Sequence, residues 1–221
     1  MQNATDRPTR RRPTGRPARP GVLGLLGGAA LLLLAACGGG GTSTAAGGSA
    51  GSASAQAQES PPAGDIPDSV AFVPYTPPGG RFTVSVPEGW SRTGTGAGTA
   101  AASLVSWTDK LNTAGVELRP AATAPTPASV QAADLPALAA QPGYRAGAVS
   151  TVQRRAGQAV LVTYRVSSPP NPVTGKTYPN AVERYSFFRN GTEAVITLSG
   201  PVGADNVDAY RTITDSFRWG A

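Results

Sequence analysis

Phe82, Val84 and Val86 alternate with Thr83 and Ser85 and then meet Pro87-Glu88-Gly89-Trp90, which predicts a half-buried strand closed by a turn. Two more short strands are expected at 101–108 and 114–119, separated by the polar break Asp109-Lys110-Leu111-Asn112. The strongest hairpin signal spans 182–199 around Asn190-Gly191, a pair suited to the positive φ of a type I′ loop. A two-residue loop there sets Phe187 opposite Ala194, Tyr185 opposite Ile196 and Glu183 opposite Leu198, collecting aromatic and branched side chains on one face. Phe188 and Val195 fall on the other face, so that side also requires a covering helix or loop. An earlier hairpin joins 146–154 to 158–167. Closed by Arg155-Ala156-Gly157, with Gly157 left-handed, it sets Val152 opposite Val160 and leaves Val160, Val162, Tyr164 and Val166 as an inner stripe.

Helical spacing occurs twice. The first stretch opens at Thr126-Pro127 and runs to Ala140 with Val130, Leu135 and Leu138 along one side, weak caps, and Pro136 positioned to kink or divide it. The second is expected to be capped by Asp205, with Asp208 in the first turn and an apolar stripe of Val207, Tyr210, Ile213 and Phe217. It leads into Ser216-Phe217-Arg218-Trp219, a short final strand or docking tail. Three strands, a helix, four strands in two hairpins, a helix and a tail predict an α+β domain on an antiparallel sheet. It is assigned to 67–221, about 155 residues, the common size of one domain.

The first 36 residues differ in kind. Arg7, Arg10, Arg11, Arg12, Arg16 and Arg19 oppose a single acid, Asp6, and are followed from Val22 to Ala36 by a run of Val, Leu, Gly and Ala only. That is the layout of an export signal, and its apolar run is shorter than the roughly 20 residues that a hydrocarbon core of about 30 Å requires. Leu34-Ala35-Ala36-Cys37, which holds the chain's single cysteine, resembles the lipobox of bacterial lipoproteins. The resemblance implies acyl chains such as palmitate attached through a diacylglycerol on the Cys37 sulfur, and cleavage between Ala36 and Cys37. The mature chain would then sit on the extracytoplasmic face of the cell membrane, held by lipid, each buried CH₂ contributing about 0.8 kcal/mol. Thr9-Arg10-Arg11-Arg12-Pro13 suggests twin-arginine export but lacks apolar residues after the arginine pair, so both that route and the general secretory route stand.

From Gly38 to about Asp65 the chain is mostly Gly, Ser, Ala and Thr, and the first aromatic residue anywhere is Phe72. Such a composition cannot offset the entropy of ordering, so 37–66 reads as a lipidated cysteine and a flexible tether with an r.m.s. reach of about 30 Å. Removing the leader's six arginines and one acid from the chain's 19 Lys+Arg and 13 Asp+Glu leaves thirteen against twelve. A nearly neutral domain has no electrostatic basis for binding nucleic acid.

The chain contains no histidine, which excludes a Ser-His-Asp triad and the usual zinc-hydrolase sites, and no motif calls for a metal or another cofactor. Two carboxylate pairs, Asp109 with Glu117 and Glu183 with Glu193, are the only candidates for acid/base work of the glycoside-hydrolase kind, and they read as solvated acids. Arg154-Arg155 and Arg165 could meet an anionic headgroup or sugar, with a solubilising role as the plainer reading, while Trp90, Trp107 and Trp219 are expected in the core. The connection from Ser167 to Asn180 is longer than strand closure needs. Its Asn171, Lys176, Tyr178 and Asn180 offer amides, a charge and an aromatic face, making it the candidate ligand loop, with a partnerless excursion as the alternative.

Gly80-Arg81-Phe82-Thr83-Val84-Ser85-Val86-Pro87-Glu88-Gly89-Trp90, the central hairpins, and Asp208-Ala209-Tyr210 through Ile213 to Ser216-Phe217 together resemble the PsbP/Mog1-like fold as it occurs in actinobacterial lipoproteins of the LpqN type. The resemblance covers about residues 72 to 219. It implies an α/β/α sandwich around an antiparallel sheet and a non-catalytic binding or accessory role in the cell envelope, and it supplies no catalytic residue. The partners then expected are the membrane, through the N-terminal lipid, and an envelope protein, lipid or glycan. The alternatives are a cell-wall glycan hydrolase using paired carboxylates and a structural spacer.

Overall fold

A computed structural model describes residues 62–94 and 103–220. The leader, the segment Leu34-Ala35-Ala36-Cys37 and the tether as far as residue 61 lie outside the described residues.

The chain forms β1 (Phe72–Tyr75), β2 (Phe82–Pro87), β3 (Ser91–Thr93), β4 (Ser103–Thr108) and β5 (Thr113–Pro120), then helices α1 (Pro127–Ala133) and α2 (Leu135–Ala139). Strands β6 (Arg145–Arg154), β7 (Gly157–Ser167), β8 (Pro179–Arg189) and β9 (Thr192–Pro201) follow, then α3 (Val207–Ser216) and β10 (Arg218–Trp219). Seven strands make one antiparallel sheet in the order β3-β4-β5-β9-β8-β7-β6, and β1-β2-β10 make a second, smaller one.

The period-2 alternation of each central strand divides the core between the two faces of the large sheet. Val116, Leu118, Tyr185, Phe187, Ala194, Ile196 and Leu198 point to one face, where Tyr210 and Ile213 of α3, Phe217 and the β2 residues Phe82, Val84 and Val86 complete the cluster. Val160, Val162, Tyr164 and Val182 point to the other, where Val130 of α1 and Leu138 of α2 cover them. The architecture is therefore α+β with helices on both faces of an antiparallel sheet, and the small sheet shares the α3 side.

The β8–β9 register is the expected one, with Phe187 opposite Ala194, Tyr185 opposite Ile196 and Glu183 opposite Leu198. Its loop has φ 49° at Asn190 and 74° at Gly191, the left-handed values a type I′ turn requires.

The β6–β7 hairpin departs from expectation by one residue. Its loop is Arg155-Ala156, Arg154 pairs with Gly157, and Val152 faces Ala159 while Thr151 faces Val160. A one-residue change of register exchanges faces, so Val152 packs toward the α3 side and Val149, opposite Val162, toward α1 and α2. Near the start of β6 an irregularity falls between Ala146 and Val149. There a Cβ on Gly147 would lie 2.3 Å from the Thr163 carbonyl, so only glycine fits.

Pro136 divides the first helical stretch as expected. The cap of α1 is stronger than the sequence suggested: Ser129 N–H donates to Thr126 Oγ1 (3.1 Å) and Thr126 N–H donates to Ser129 Oγ (2.8 Å), a capping box with serine in the place usually taken by Glu or Gln. Asp205 does not cap α3. Asn206 occupies that position with its side chain turned to other partners, and Val207, expected in the apolar stripe, is 60% exposed. Strands β1 and β3 were not expected, being four and three residues long, and β1 carries Pro74. Proline is tolerated there because β1 is an edge strand.

Candidate functional site

Because neighbouring strands alternate in direction, the loops gather at two ends of the large sheet. The chain enters at the end that holds the Asp109–Asn112 turn and the β9–α3 connection. Asn206 Oδ1 accepts from Ile66 N–H (2.8 Å), and its Nδ2 donates to the Gly64 carbonyl (3.1 Å) and to Asn112 Oδ1 (3.0 Å). Asn112 Nδ2 donates to the same Gly64 carbonyl (3.0 Å) and to Asp109 Oδ2 (2.9 Å), and Asp205 N–H donates to Asp65 Oδ1 (2.8 Å). Gly64 to Ile66, assigned by composition to the tether, are thus held by the domain, and Ile66 is buried in its core.

The Ser167–Asn180 connection lies at this same end. Ser168 N–H donates to the Tyr178 carbonyl and Tyr178 N–H to Ser168 Oγ, closing its base. Its amides are less available than the sequence suggested. Asn171 Oδ1 accepts from Val173 N–H and Thr174 N–H at 2.9 Å, an Asx turn. Asn180 is buried within β8, its Oδ1 without a hydrogen-bond partner. Lys176 is exposed and Tyr178 half-buried.

Three of the four candidate acids are committed to partners, and neither candidate pair meets. On the α1–α2 face, Arg119 donates to both oxygens of Glu193 (2.8 and 3.0 Å) and of Asp134 (3.0 and 3.1 Å), and Arg184 Nη2 lies 3.5 Å from Asp134. Asp134 is the joint between α1 and α2, so this network seats the helix pair on the sheet. The Glu193 contact holds the Arg119 guanidinium above its ordinary range. Glu183 lies on the opposite face, where Tyr185 Oη donates to it at 2.6 Å and in turn accepts from Arg154 Nη2 at 3.1 Å. Burial, reinforced by Glu183, pushes the Tyr185 hydroxyl up to about 12. The sheet therefore stands between Glu183 and Glu193. Asp109 accepts from Leu111 N–H and Asn112 N–H in its own turn, while Glu117 stands four positions beyond Thr113 along β5, about 13 Å at strand spacing. Among the described residues no three or more His, Cys, Asp or Glu gather where they could hold a metal ion.

The far end holds the β6–β7 and β8–β9 turns, the C-terminus of α3 and β10. Here Phe72, Ser85, Arg155, Thr212, Asp215 and Ser216, together with Arg211 and Arg218, line a cleft of about 530 Å³. Arg155 is carried by the hairpin turn, Arg211 by α3 and Arg218 by β10. The turn is docked on the helix by Arg155 N–H, which donates to Asp215 Oδ1 at 3.3 Å. Ser85 N–H donates to Ser216 Oγ (2.7 Å), joining β2 to the same helix end. Arg218 Nη1 is spent on the carbonyls of Asp215 (2.6 Å) and Phe217 (2.7 Å), where a cation complements a helix C-terminus. Among the described residues the guanidinium groups of Arg155 and Arg211 have no hydrogen-bond or ion-pair partner. Of the arginines singled out in the sequence, Arg154 supports Tyr185 and Thr214, Arg155 faces the cleft, and Arg165 lies at the other end of β7. Sequence reading missed the convergence of Arg155 with Arg211 and Arg218, which are 56 and 63 positions away along the chain.

No protein-family model and no curated protein matches this chain. Solved structures of similar fold include the Ran-binding protein Mog1p of Saccharomyces cerevisiae, at 14% identity over 67% of this chain and 95% of that one, TM-score 0.44. Cyanobacterial PsbP (CyanoP) from Synechocystis is 12% identical over 72% of this chain and 99% of that one, TM-score 0.45. LpqN of Mycobacterium tuberculosis, described as involved in cell envelope biogenesis, is 14% identical over 70% of this chain and 93% of that one, TM-score 0.37. These are likenesses of fold alone.

Proposed function

We propose that this protein is a non-catalytic lipoprotein of the cell envelope, anchored through Cys37 on the extracytoplasmic face of the membrane, whose α+β domain binds a partner. The observation that carries the binding role is the cleft beside α3, where two guanidinium groups stand without partners. A guanidinium stays protonated throughout the working pH range, so it can hold and orient an acceptor but cannot shuttle protons. Of the four candidate acids, Glu193 is engaged with Arg119, Glu183 with Tyr185 and Asp109 with backbone N–H groups, which leaves Glu117 without a second acid to work with. The Ser167–Asn180 connection, through Lys176 and Tyr178, is a second contact surface in this reading.

The anchor rests on the arginine-rich leader and Leu34-Ala35-Ala36-Cys37. Intact-mass measurement of the mature amino terminus should find acylated Cys37, and Cys37→Ser should leave an unprocessed or aberrantly cut chain without lipid. An unmodified Cys37, or a main cleavage site elsewhere, removes the lipoprotein assignment.

Binding is tested by cross-linked capture from native envelopes, followed by identification of both protein and lipid partners. Lys176→Ala/Tyr178→Ala should melt as the parent does and capture less. Undiminished capture of a confirmed partner by that variant takes the connection out of the contact surface.

A further inference from the structure

We propose that the cleft between α3, β10 and the β6–β7 turn is a binding site for an organic phosphate, gripped by Arg155 and Arg211. The inference rests on the binding role proposed above and names the chemistry its ligand must have.

Three arginines against one acid, Asp215, line the cleft. They come from three separate elements that the fold brings to one place, and they differ in what they have left to give. Arg218 has one nitrogen committed to the carbonyls that end α3. Arg155 and Arg211 have both faces of their donor forks uncommitted. The carboxylate of Asp215 does not neutralise them by contact, since its recorded bond is to the Arg155 backbone N–H and no ion pair within the described residues includes it.

Two of the three hydroxyl side chains that line the cleft are already committed. Thr212 Oγ1 donates to the Asp208 carbonyl (2.9 Å) and Ser216 Oγ to the Ile213 carbonyl (2.6 Å), so neither proton is on offer. Ser85 is the one lining hydroxyl left to assist, and the charge that holds an anion comes from the guanidinium groups, whose planar forks match the paired oxygens of a phosphate. A volume of about 530 Å³ far exceeds a bare phosphate, and Phe72 supplies an apolar wall to it. Both features suit a phosphate joined to an organic group, such as a phosphorylated sugar or a glycerophosphate headgroup. Arg155 is also held in place from behind, because its own N–H ties the turn to α3. The cleft opens at the end of the sheet opposite Gly64–Ile66, so the ligand is met away from the point where the chain enters the domain.

The test uses the full-length mature protein reconstituted in phosphatidylcholine vesicles, with glycerol 3-phosphate as the probe and binding followed by calorimetric titration. Arg155→Gln/Arg211→Gln should bind it at least about tenfold more weakly than the parent, with an unchanged melt, and added salt should weaken the parent's binding. Arg81→Gln/Arg189→Gln, at the same end but outside the cleft, should bind as the parent does. Adding phosphatidylglycerol to the vesicles separates two sources of the same chemistry. Weaker probe binding assigns the site to headgroups of its own bilayer, and unchanged binding assigns it to a phosphorylated ligand beyond the bilayer. Equal binding by parent and Arg155→Gln/Arg211→Gln, or no binding by the parent, overturns the proposal. If envelope capture still yields a partner in that case, the binding role stands and only the phosphate site falls.

Discussion

Replacing Phe217 by alanine should lower the stability of the domain by about 3 to 5 kcal/mol, the range for removing a fully buried phenylalanine. Phe217 is wholly buried although it sits just beyond the last turn of α3. Its ring meets Phe187 at 5.5 Å and 29°, Phe82 at 5.9 Å, and Trp219 edge-on at 5.3 Å and 74°. Phe187 belongs to the large sheet, while Phe82 and Trp219 are paired in the small one, so one side chain at the end of α3 joins that helix to both sheets. Collapse into the space would have to pull β2 or β10 away from its hydrogen bonds, which keeps most of the cavity open. Phe217→Leu should cost less than half as much, because it keeps much of the volume while losing the ring contacts. Chemical denaturation of the mature chain measures both. A loss below about 1 kcal/mol for Phe217→Ala would mean that the aromatic junction does not hold these pieces together.

Asn206→Ala should cost about 2 to 4 kcal/mol and should act first on the entering segment. The substitution strips the acceptor of Ile66 N–H and one donor each from the Gly64 carbonyl and Asn112 Oδ1. A buried polar group left without a partner costs about 1 to 3 kcal/mol, and the Gly64 carbonyl keeps its second donor, Asn112 Nδ2, so the total stays below the sum of three full losses. The space is also closed to repair: a Cβ on Gly200 would already lie 2.3 Å from Asn112 Oδ1 and 2.9 Å from Asn206 Nδ2, so the amides are packed against bare backbone. Asn206→Asp should recover little, since it retains an acceptor for Ile66 N–H but replaces two donors with a buried charge. Amide hydrogen exchange reads the effect directly. Ile66 N–H should exchange far faster in Asn206→Ala than in the parent, and unchanged protection there would refute the clamp.

These two side chains bear differently on how much of the protein is legible in its sequence. Phe217 could be placed in the α3 stripe by spacing, but not at the meeting of three pieces, since nothing local to it specifies Phe82, 135 positions earlier. Asn206 gave no sign of its role. The helix start was assigned to Asp205 beside it, and the partners of Asn206 are Asn112 and backbone groups of a segment whose composition resembles a tether.

The local code determined the α+β class, the helix break at Pro136 and the β8–β9 register, because each depends on short-range rules: side-chain alternation, proline's missing N–H, and the positive φ available at Asn190-Gly191. The β6–β7 register slipped by one because two- and three-residue loops are both compatible with Arg155-Ala156-Gly157, and the choice was made by which face of the sheet Val152 and Val160 could bury. The strands β1 and β3 were too short to show a period at all. The arginine cleft belongs wholly to the tertiary structure. Arg155, Arg211 and Arg218 look alike in sequence, as ordinary solvated cations, and only the docking of a hairpin turn on the end of α3 brings them together. Only the packed structure, too, decides which guanidinium groups are spent on the protein's own carbonyls and which remain free for a ligand.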